Sequence, residues 1–62
     1  MKAIIEVDMD NAAFDHFPLE ELANILDGIT KDLREGLPGT APATATLRDS
    51  NGNRVGQLVI ED

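Results

Sequence analysis

Apolar and polar positions alternate from Lys2 to Met9, with Ala3, Ile5, Val7 and Met9 on one side and Ile4, Glu6 and Asp8 on the other. A period of two with branched residues predicts a strand with one buried face. Asp10-Asn11 then ends it, because short polar side chains hydrogen-bond nearby backbone and favour turns. The period changes further on: Leu19, Leu22, Leu26, Ile29 and Leu33 recur at spacings of three and four, and Ala23 and Ile25 widen the stripe. That is one apolar face of an amphipathic helix. Pro18 suits its first turn, and a proline there pushes Phe17 out of helical geometry. Glu20 and Glu21 lie at the positive end of the helix dipole, Lys31 and Arg34 in the last turn. Gly36 is placed to take a left-handed cap with Pro38 just beyond. Gly28, inside the helix, is expected to admit a neighbouring backbone at close range.

Leu37 to Ala43 holds two prolines and a glycine and has no period, so it reads as an ordered connection. Thr44 to Asp49 and Arg54 to Ile60 flank Asn51-Gly52, the pair that most readily accepts the positive φ angles of a type I′ hairpin turn. A two-residue loop sets Ser50 opposite Asn53, Asp49 opposite Arg54 and Leu47 opposite Gly56. The Asp49–Arg54 pair favours that register over a bulged one that would oppose Arg48 to Arg54. The expected fold class is α+β in the order β-α-β-β, one domain over residues 1–62: a three-stranded sheet with the amphipathic helix packed on one face. Strand order stays open. The second face, carrying Ile4, Glu6 and Asp8, meets water or a partner.

Composition narrows what such a domain does. Of 26 hydrophobic residues seven are alanine, which leaves enough large side chains for two layers. A chain of 62 residues buries only about 60% of the surface its unfolded form exposes. With no cysteine and one histidine, disulfides and a structural metal are poor supports, so association with another chain is expected. No run reaches the roughly 20 apolar residues of a membrane span, and Met1-Lys2 is not followed by a signal core. A cytoplasmic location is the expectation, and missing cysteines agree with it.

The net charge of −7 argues against direct contact with nucleic acid or anionic lipid. Glu6, Asp8, Asp10, Asp15, Glu20, Glu21 and Asp27 follow one another with no base between them. One reading is a solvated acidic surface that aids solubility. The other is a charge array offered to a basic groove, in which strand carboxylates that skip one residue repeat about every 6–7 Å, like phosphates along one strand. Phe14 and Phe17 are the only aromatics. They either close the end of the core or form a hydrophobic anchor ringed by Asp15, Glu20 and Glu21.

Catalytic chemistry finds little to work with. His16, the only histidine, has no evident partner for a dyad and reads as a solvated loop residue. Asp8, Asp10, Asn11 and Asp15 are superficially spaced like a calcium loop, but Ala13 and Leu19 stand where its glycine and bidentate glutamate belong. Asp49-Ser50-Asn51-Gly52-Asn53 alternates like a ligand set and stops at the hairpin tip. Both segments read as turn chemistry, and no cofactor, metal or catalytic residue is expected.

IIEVDMDNAAFD at Ile4 to Asp15 and LRDSNGNRVG at Leu47 to Gly56, joined by the helix LEELANIL, resemble a group of short proteins of bacteriophages, prophages and bacterial genomes. Those proteins begin with an IDMDNAAF-like stretch and end with an LRDxNGNxVG-like hairpin. The resemblance covers most of the chain and departs in the LPGTAPATAT connection. It implies a phage or mobile-element setting and no enzyme activity. The leading expectation is therefore a non-catalytic acidic module that binds a basic host or phage protein. Its sharpest form is an anti-defence, anti-CRISPR-like inhibitor occluding the nucleic-acid groove of a host complex. The partner-binding residues expected are Glu6, Asp8, Asp10, Asp15, Phe14, Phe17, Glu20 and Glu21. The alternative is a homo-oligomeric accessory phage protein, a homodimer through its exposed sheet face or edge, with no inhibitory role.

Overall fold

A computed structural model describes residues 1–36 and 43–61. Strand β1 (Lys2–Val7) leads through a single-turn 3₁₀ helix (Ala12–Phe14) to helix α1 (Pro18–Glu35). The hairpin of β2 (Ala43–Arg48) and β3 (Arg54–Glu61) completes a three-stranded antiparallel sheet in the order β1-β3-β2. The α+β fold expected from the pattern is thus the fold adopted. β1 ends at Val7, two residues before Met9, and the connection expected over Leu37 to Ala43 lies outside the described residues up to position 42.

Local chemistry accounts for the helix ends. Phe17 (φ −133°, ψ 69°) is held out of the helix by Pro18, and Glu20 and Glu21 occupy the first turn. Gly36, at φ 94°, donates its N–H to the carbonyls of Asp32 and Leu33 in a left-handed cap. At 1.5 Å per residue the 18-residue helix runs about 27 Å. Its first turns reach the hairpin tip past the end of β2 at Arg48, where Glu21 bonds Ser50. Leu19 is 77% exposed and Leu33 45%, whereas Ile25 and Ile29 are buried and Leu22 and Leu26 half-buried. The buried line of the helix runs along Glu21, Ile25 and Ile29, one position round from the stripe expected.

Phe14, Ile25, Ile29, Leu47, Val55 and Leu58 form the buried core, with Val7, Met9, Ala13 and Leu26 packed against it. The helix lies beside β2, at one edge, and β1 lies at the other. The face of β1 expected to be buried is therefore covered only at one end: Val7 and Met9 are half-buried, while Ala3 is exposed and Ile5 is 48% exposed. On the uncovered face Glu6, Thr44, Thr46 and Gln57 are exposed and Ile4 is 38% exposed.

The hairpin corrects the expected turn. Leu47 does face Gly56, but the register shifts beside it, and Arg48 faces Arg54. Val55 is the extra residue on β3, and it turns into the core. The Gly52 N–H donates to the Asp49 carbonyl, the Asp49 N–H to the Asn53 carbonyl, and Gly52 alone in the loop has positive φ, at 85°. This is a type I turn with a left-handed glycine bulge, so Asp49 never meets Arg54. The Asp49 side chain is the reason: it bonds the backbone of its own turn, as described below.

The close approach expected at Gly28 occurs instead at Gly56. A Cβ on Gly28 would meet nothing within 4 Å, whereas one on Gly56 would run into the backbone carbonyl of Glu6 on β1. Gly28→Ala is expected to raise stability by about 0.5–1 kcal/mol. Gly56→Ala forces β1 away from β3 and is expected to cost about 1–3 kcal/mol or more. Urea unfolding of the two variants, which differ from the wild type by the same single methyl group, checks both signs.

Candidate interaction surface

Glu21, which the sequence offers as surface charge, and Asp49, which it offers as turn chemistry, are both structural. Asn11 caps the 3₁₀ turn, its Oδ1 accepting the Ala13 N–H at 3.0 Å, and its Nδ2 donates to Asp49 Oδ2 at 2.7 Å. Asp49 Oδ1 accepts the N–H groups of Asn51 and Asn53, each at 2.9 Å. One residue on, Ser50 donates its N–H to Glu21 Oε2 at 2.8 Å and its hydroxyl to Glu21 Oε1 at 2.9 Å. The hairpin tip is thereby tied to the segment after β1 and to the first turns of α1. Among the described residues no buried side-chain polar atom lacks a hydrogen-bond partner.

Glu21 and Asp49 are 8% and 7% exposed, and Phe14, at 4%, belongs to the core. Of the eight residues expected to bind a partner, Phe14 and Glu21 are therefore turned inward and engaged in holding the fold. The other six are at the surface, in two places. Glu6 lies on the open face of β1, with Asp8 and Asp10 exposed in the segment that follows. Asp15, Phe17 and Glu20 gather at the start of α1, where Phe17 is 70% exposed beside the exposed Leu19. A groove of about 470 Å³ opens there, lined by Ala13, His16, Phe17, Glu20, Glu21 and Asn24, with Ser50 at the hairpin end. Leu19 was placed on the buried stripe by its spacing. Its exposure agrees with a buried line through Glu21, Ile25 and Ile29, since Leu19 lies about 120° round the helix from Ile25.

Asn11, Asp49 and Ser50 were missed as a unit. The signal was present in the run Asp49-Ser50-Asn51-Gly52-Asn53, since an aspartate commonly accepts backbone N–H groups of its own turn. Their link to Asn11, 38 residues away, had no local signal. Among the described residues no group of three or more histidines or acids is placed to hold a metal ion, and no described helix is long and apolar enough to cross a membrane. The architecture defines a small α+β domain with a half-covered antiparallel sheet. In comparisons with known proteins the chain matches no family model, no curated protein and no solved structure.

The Asp49 carboxyl sits below its ordinary value of 3.8; burial by itself raises it, and hydrogen bonds from the Asn53 N–H, the Asn11 amide and the Asn51 N–H outweigh that. Because the folded value is the lower one, Asp49 stabilises the fold above the ordinary carboxylate range and ceases to do so as pH falls through the folded value. Asp49→Asn keeps an oxygen for the turn but sets an NH₂ against the Asn11 NH₂. The variant is expected to be less stable than the wild type at neutral pH, with a gap that closes as pH falls through the lowered folded-state value of Asp49. Urea midpoints across pH test this, and a gap that stays constant down to acid refutes it. Glu21→Ala removes both bonds to Ser50 and is expected to cost roughly 1–3 kcal/mol in the same assay.

Proposed function

We propose that this chain is a non-catalytic acidic module that binds a basic surface on another protein. In its sharpest form it is an anti-defence inhibitor that occludes a nucleic-acid-binding groove on a host complex. The observation that carries this reading is the start of α1, where Phe17 and Leu19, 70% and 77% exposed, stand beside the exposed Asp15 and Glu20. Two large apolar side chains within an acidic rim are the make-up of a protein-binding anchor, and the fold buries less than a third of either. The acids that remain at the surface give direction to the encounter, since an acidic rim favours a basic partner and speeds association at low salt. The phage or prophage setting rests on the resemblance of the two terminal motifs.

Affinity capture from a bacterial lysate, washed at low and high salt with and without competing DNA, tests the proposal. The expected result is a basic nucleic-acid-binding protein that is retained at low salt and displaced by DNA. Neutralising Asp10, Asp15 and Glu20 together should weaken its retention strongly and flatten the salt dependence, and Phe17→Ser should weaken it at every salt concentration. Recovery of the bait alone, or unchanged retention of the triple variant, overturns the reading.

A further inference from the structure

We infer that the free edge of β1 pairs antiparallel with β1 of a second copy, centred on Ile4, so that two three-stranded sheets join into one of six strands. This dimer does not depend on the partner proposed above. The Asp8 N–H donates to the Val55 carbonyl, and the register sets Glu6, Ile4 and Lys2 against Gln57, Val59 and Glu61 in the same phase. In an antiparallel ladder bonding alternates, so these even-numbered residues bond β3, while Ala3, Ile5 and Val7 direct their N–H and C=O groups to the open edge. β1 carries neither a proline nor a register shift in its pairing. Those are two of the usual devices that keep an edge strand from pairing, and β1 lacks both. Its apolar residues are also the ones the fold leaves uncovered, with Ile4 38% and Ile5 48% exposed on opposite faces.

The side chains select the register. Centred on Ile4, the strand Lys2–Glu6 is complementary to its own copy: Lys2 faces Glu6 twice, Ile4 faces Ile4, and Ala3 faces Ile5 as a hydrogen-bonded pair. A shift by one residue about the axis sets outward-facing groups against inward-facing ones and breaks the ladder. A shift by two in one direction sets Ile4 against Lys2 and loses both ion pairs; in the other it sets Ile4 against Glu6 and exchanges the Lys2–Glu6 pairs for Lys2–Asp8 pairs past the end of the strand at Val7. Only the central register matches donor with acceptor while setting no apolar residue of Lys2–Glu6 against a charge. A contact limited to one strand from each copy falls below the roughly 1,200 Å² of a permanent interface, so the dimer is of the concentration-dependent kind. In it Glu6 is engaged by Lys2 of the second copy, which leaves Asp8, Asp10, Asp15 and Glu20 as the acids free for another protein.

Sedimentation equilibrium over roughly micromolar to millimolar concentrations tests the pairing, with circular dichroism to confirm that each variant is folded. The wild type is expected to dimerise. Glu6→Lys sets lysine against lysine, and Lys2→Glu sets glutamate against glutamate. Each alone should weaken dimerisation about tenfold. An equimolar mixture of the two single variants should form a heterodimer, and the double variant Lys2→Glu/Glu6→Lys should recover the wild-type constant. Glu6→Lys, which faces Gln57 on its own sheet, is the cleaner single change, because Lys2→Glu also faces Glu61. In the unmodified chain the Ala3 and Ile5 amide hydrogens should exchange more slowly as concentration rises. A wild type that is monomeric throughout, single variants that associate as well as it does, or edge amides indifferent to concentration would each overturn the inference.

Discussion

The Asp49 carboxylate binds three donors, two from its own turn and one from Asn11, which caps the segment after β1. Beside it Glu21 binds Ser50 twice from the first turns of α1. Three of these five hydrogen bonds join the parts of a chain that has no cysteine and, among the described residues, six buried apolar side chains. A carboxylate with its lone pairs taken up by N–H groups tolerates burial that would otherwise favour its neutral form. The turn geometry depends on the same atoms. With Asp49 bonded to its own backbone, the loop closes as a type I turn with a bulge at Gly52, and a separate register shift opposite Leu47 and Arg48 turns Val55 into the core.

The clamp changes how the acidic composition is understood. Seven acids precede the first base after Lys2, and they look equivalent along the chain. In the fold Glu21 is a structural residue, while Glu6, Asp8, Asp10, Asp15 and Glu20 stay in water. The aromatic pair divides in the same way: Phe14 seals the core and Phe17, three residues on, projects from it. The surface that remains for recognition is what the fold does not consume, namely the start of α1 and the uncovered strand β1. The single helix lies beside β2 at one edge of the sheet, and its first turns reach past that strand to the hairpin tip, where Glu21 bonds Ser50.

Several features were legible because their causes are local. Pro18 and Gly36 bound the helix through their own backbone restrictions, and the Leu47–Gly56 pairing follows from the hairpin pattern. Gly28 and Gly56 show where that legibility stops. Each is a glycine inside a regular element, and only the approach of β1, about fifty residues away in sequence, gives one of them a packing role. Ile5 belongs to the apolar side of an alternating strand, yet alternation says which residues share a face and not whether anything covers it.

The amino-acid sequence by itself determined the class of fold, the helix and its ends, the three strands, and the hairpin with its apolar pairs, because propensity, period and turn chemistry act over a few residues. It also determined the acidic balance. The tertiary structure alone decided the strand order, the bulge that seats Val55, which acids lie inside, and which apolar residues lie outside. These outcomes depend on contacts between residues far apart in the chain. Asn11 reaching Asp49, and the helix settling on Glu21, Ile25 and Ile29 so that Leu19 turns outward, are events of assembly, and no window of neighbouring residues contains them.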